Sequence, residues 1–68
     1  MSADQVSKIE SLAEAYAAGK GGSPRAFVDA AKRVAGPGAV AAVLPDIIGA
    51  LPAGDAKKAL FQLYSTEL

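Results

Sequence analysis

This 68-residue chain contains no cysteine and no histidine. Without cysteine there is no disulfide to staple a small core, no thiolate nucleophile and no thiolate metal ligand. Without histidine the commonest general acid–base group is gone, and carboxylates alone would have to hold any metal. The hydroxyls of Ser2, Ser7, Ser11, Ser23, Tyr16, Tyr64, Ser65 and Thr66 remain, but none stands in a nucleophile-elbow sequence. These absences exclude most enzymatic chemistry. No catalytic residue, metal, cofactor or small-molecule substrate is expected. A chain free of cysteine also suits the cytoplasm, the expected location.

An excess of charge is lacking too. Seven Lys and Arg balance seven Asp and Glu, so no long-range field draws nucleic acid or anionic lipid. The N-terminus has no basic stretch followed by an apolar one, so no signal peptide is expected. The most apolar segment, residues 38–51, is about 14 residues long where a bilayer span needs about 20. A membrane is therefore not among the expected partners.

What remains is small and apolar. Hydrophobic residues make up 51% of the chain, but 16 of those 35 are alanine. The larger aliphatic and aromatic side chains number only 18. A single domain is all this length allows. With no staple, it must pack helices closely through alanine or complete its core on another chain.

The spacing predicts an all-α domain, a compact bundle of four to five short helices over about 2–18, 24–35, 38–43, 45–51 and 56–67. Ser2 with Gln5 three residues on forms a capping box, and Val6, Ile9, Ala13 and Tyr16 share one face that Leu12 widens. Asp4 and Lys8 stand one turn apart in the favourable order. The run Gly19-Lys20-Gly21-Gly22 ends this helix. Ser23-Pro24 opens the next, with serine as N-cap and proline in the first position. Its apolar stripe is Phe27, Ala30, Ala31 and Val34. Its wet face holds Arg25, Lys32 and Arg33, with Asp29 in reach of all three. Gly36-Pro37 stops it with a single-bond cap, because proline cannot donate the second bond of a Schellman motif. Pro45 divides the third segment into two short helices that meet at a bend; one kinked helix is the alternative. Pro52-Ala53-Gly54 turns the chain, and Asp55 caps the last helix.

Two motifs invite function and fail. Gly19-Lys20-Gly21 resembles part of a phosphate loop, yet Glu14 stands where the first glycine belongs and Gly21 where a hydroxyl residue belongs. The paired carboxylates Glu10 and Glu14 could share a cation, but a solvated helix face explains them as well. A helix-turn-helix use of the second helix, with Arg25, Lys32 and Arg33 on DNA phosphates, is the alternative function. The neutral chain and Asp29 weaken it.

The strongest expectation is a non-catalytic protein-binding module: an adaptor, inhibitor or assembly subunit that meets a larger protein or a second copy of itself. Ile47, Ile48 and Leu51 crowd one short helix, while Phe61, Tyr64 and Leu68 spread around another. So small a core need not cover them all, and uncovered aromatics are what an interface uses. Phe61 and Tyr64 are the expected anchors.

Overall fold

Alanine packs where these helices meet: Ala31 lies in the core, with Ala13, Ala17, Ala35 and Ala56 against it. In the computed structural model, which describes residues 2–20 and 22–67, Ala31 is fully buried at the middle of the second helix, and that helix packs on all three others. Met1, Gly21 and Leu68 lie outside the described residues. The order is α1 (Ala3–Ala17), α2 (Pro24–Ala35), α3 (Pro37–Ala50) and α4 (Asp55–Glu67). The class is all-α, a small helical bundle, as the sequence predicts. The radius of gyration is 10.7 Å, matching the roughly 11 Å expected of a folded chain of this length.

The helix ends follow from local chemistry. Ser2 and Gln5 form the complete capping box, each side chain bonding the other's backbone N–H. Gln5 does more, because its Nε2 donates to the Val34 carbonyl at 3.1 Å. One side chain thus satisfies orphan groups at the start of α1 and the end of α2. The α1 C-terminus is a Schellman motif: the Lys20 N–H reaches the Ala15 carbonyl and the Gly19 N–H reaches that of Tyr16, with Gly19 at φ 80°. Ser23 caps α2 through the Ala26 N–H, with Pro24 first in the helix.

Gly36 alone joins α2 to α3. Its N–H caps α2 by bonding the Lys32 carbonyl, and its carbonyl takes the first bond of α3 from Val40. It sits at φ 85°, ψ 157°, a region essentially open only to glycine.

Pro45 does not divide the third segment. The two short helices over 38–43 and 45–51 are one helix, with Pro45 inside it. An interior proline costs about 3 kcal/mol, since the Ala41 carbonyl loses its donor. Val40, Leu44 and Ile48 recur every fourth residue and are 1%, 0% and 7% exposed. Each such burial contributes about 1.5–3 kcal/mol, so together they outweigh the proline. The ring itself faces solvent. Leu51 then turns extended, at φ −69°, ψ 145°, as a residue before Pro52 should. Asp55 falls inside the first turn of α4 rather than preceding it.

The core comprises Ile9 and Tyr16 from α1, Phe27, Val28 and Ala31 from α2, Val40, Leu44, Ile48 and Leu51 from the third segment, and Leu60 from α4. Tyr16 stacks on Phe27 with ring centroids 5.5 Å apart, and its hydroxyl donates to the Ala56 carbonyl at 2.5 Å. Val6, expected on the buried face of α1, is 40% exposed. It lines a hollow between α1 and α3, which scarcely touch each other.

Candidate protein-binding surface

Residue by residue, the six expected partner-binding positions separate into different environments. Ile48 and Leu51 are core residues, 7% and 8% exposed. The fourfold spacing that buries Val40 and Leu44 carries Ile48 inside with them, while Leu51, three residues on, lines one end of a surface hollow. Ile47, one position round the helix, is half-buried at the core's edge. Tyr64 is half-buried against the core as well. Phe61 is 55% exposed, the most exposed large apolar side chain among the described residues. Leu68 lies outside the described residues.

The wide apolar arc of α4 explains this split. Leu60 alone is fully buried. Leu63, Tyr64 and Ala56 pack at the core's margin. Phe61, some 100° round the helix from Leu60, is left uncovered among the described residues. A four-helix core of this size closes around one stripe of α4, and its remaining aromatic surface stays wet.

A second apolar surface lies between α1 and α3, which scarcely touch each other. Val6 and Val43 line one end of the trough between them, and Ala17 and Leu51 the other, so the two helices run alongside in the same sense. Two continuous hollows of about 280 and 300 Å³ share Glu10, Ile47 and Ala50. Each is at or below the low end of the size that small-molecule sites require, about 300–1,000 Å³. The ionisable residues along the trough are all carboxylates: Glu10 and Glu14 on α1, Asp46 on α3. Among the described residues no three acidic groups gather closely enough to hold a metal ion. Composition did not reveal this trough. Its signal was the exposed Glu10 and Glu14 beside small Ala13 and Ala17, legible only once α3 is known to lie alongside.

The neutral chain is electrically divided. α1 and α3 carry Asp4, Glu10, Glu14 and Asp46 against one cation, Lys8. α2 carries Arg25, Lys32 and Arg33 against Asp29. The expected use of Asp29 as their common partner is not what forms. Arg25 pairs with Glu67 at the end of α4, the only ion pair among the described residues. That hydrogen bond and its attraction raise the Arg25 guanidinium above its ordinary pKa. Asp4 and Lys8 do not pair, as exposed side chains gain little by doing so. Of the three cations proposed for DNA phosphates, Arg25 is engaged, Lys32 is half-buried near Leu63, and Arg33 is exposed.

No helix among the described residues is long and apolar enough to cross a membrane. No family model matches the chain, and no curated protein or solved structure matches it.

Proposed function

We propose that this domain is a non-catalytic protein-binding module that meets a larger protein or a second copy of itself through the apolar surface of α3 and α4. It would act as an adaptor, an inhibitor or an assembly subunit. Phe61 is the anchor, Tyr64 and Ile47 add half-buried apolar surface, and Leu68 extends the stripe in sequence. Ile48 and Leu51 support these residues from within the core rather than touching the partner.

One observation carries this reading. Phe61 is 55% exposed while Leu60 beside it is fully buried, so the core closes without the phenylalanine. An aromatic ring that folding does not use is the kind of residue that dominates binding energy when a partner covers it. A non-catalytic role rests on the missing histidine and cysteine. The missing cysteine also suits a reducing, cytoplasmic setting.

Equilibrium unfolding and sedimentation of the Phe61→Ala protein test the proposal together. Stability should change by less than about 1 kcal/mol, and association with a partner or a second copy should be lost. A loss above about 3 kcal/mol would make Phe61 a core residue and end its role as anchor. Tight duplex binding that falls steeply with salt would point to Arg25, Lys32 and Arg33 instead.

A further inference from the structure

We propose that the trough between α1 and α3 docks a cationic amphipathic helix from a partner protein. The site extends the protein-binding reading to a second surface and stands separately from the Phe61 ridge on α4.

The trough has the shape for a helix. Its walls are two helices running in the same sense, lined from Val6 to Ala17 on one side and from Val43 to Leu51 on the other, a length of about 12–16 Å, or two to three turns. Ala13, Ala17 and Ala50 on its sides leave room for large side chains to descend toward Ile9 and Ile47. An apolar stripe seated between two such walls is a recurrent way of recognising a partner helix.

Charge identifies the occupant. Glu10, Glu14 and Asp46 rim the trough, all three are exposed, and none is ion-paired among the described residues. The C-terminal, negative dipole ends of α1 and α3 both lie at the Ala17 and Leu51 end. There Lys57 donates to the Leu51 carbonyl at 3.4 Å, while every ionisable residue lining the trough itself is acidic. A docking helix must therefore flank its apolar stripe with Lys or Arg, and acidic flanks are repelled. A second copy of this chain does not meet that requirement. Its cationic helix, α2, has already buried its apolar residues Phe27, Val28 and Ala31 in its own core, and α4, which exposes Phe61, balances Lys57 and Lys58 with Asp55 and Glu67.

Three synthetic 18-residue peptides test this against the full chain by fluorescence anisotropy. One has leucine at helical stripe spacing with lysine elsewhere, one has the same stripe with glutamate, and one scrambles the leucine–lysine order. The leucine–lysine helix should bind at least about tenfold more tightly than either of the others. In the Glu10→Lys/Glu14→Lys/Asp46→Lys protein the preference should pass to the leucine–glutamate peptide. Ala50→Trp, an exposed position that fills the trough, should abolish binding while the circular dichroism spectrum stays helical. Equal affinity for the amphipathic and scrambled lysine peptides overturns the proposal, as does binding that survives Ala50→Trp. Binding lost in Phe61→Ser but kept in Ala50→Trp overturns it too, and assigns the peptide to the α4 surface, leaving that reading intact. Absence of binding by every peptide removes the trough as a docking site without bearing on Phe61, whose association assay is separate.

Discussion

The four aromatic residues divide between the two halves of the chain. Tyr16 and Phe27, from α1 and α2, are 4% and 3% exposed and stack on one another. Phe61 and Tyr64, both from α4, are half-exposed and half-buried. The second half is the more apolar by sequence, yet it holds the uncovered rings. What separates them is the side of its helix on which each ring lies. α4, like α2, packs on all three other helices, but Leu60 takes its inward face and leaves Phe61 outside. Hydrophobic content sets how much could be buried; the direction of the core decides which residues are.

Substitutions can break that comparison, and the largest effect falls in the first half. Phe27→Ala should cost about 3–5 kcal/mol in urea unfolding, against less than about 1 for Phe61→Ala. Equal losses at both positions would erase the distinction. Pro45→Ala should be next, raising stability by about 1–2 kcal/mol, since it restores a donor to the Ala41 carbonyl in a helix already held by its buried stripe. A destabilised Pro45→Ala protein would mean that the ring itself is packed. Tyr16→Phe leaves the stack and removes the hydroxyl bond to Ala56, which should cost about 1 kcal/mol.

The same tyrosine sharpens the comparison through pH. Burial holds the Tyr16 hydroxyl above its ordinary pKa of 10.0. Below about pH 10 the group is neutral whether the chain is folded or not, and stability does not change on its account. Above that, the unfolded chain loses the proton first, so stability falls as pH rises. The fall should be smaller in Tyr16→Phe and unchanged in Phe61→Ala, as thermal melts between pH 8 and 11 would read.

Much of the fold was legible because its helix ends are written in local chemistry. Ser2 with Gln5, Ser23 with Pro24, and Gly19 each act within a few residues of their own position. The continuity of α3 was not, because Pro45 acts locally while the burial of Val40, Leu44 and Ile48 depends on α2 and α4. Ile48 and Ile47 illustrate the same limit at the candidate surface. They are adjacent and identical in type, and only the direction of the core tells them apart. The trough was hidden for a further reason. It exists because α1 and α3 are kept apart, and no sequence pattern reports a contact that is not made. Gln5 was read as a cap for its own helix, and its second bond to Val34 joins residues 29 positions apart.

The bond from Tyr16 to Ala56 spans 40 positions and binds the opening helix to the closing one. Helices of 12 to 15 residues are at the margin of what persists alone in water. Neither end of the chain can then keep its coils while the other lets go. Ellipticity at 222 nm and tyrosine fluorescence should report one shared transition, with the midpoint of each curve at the same urea concentration.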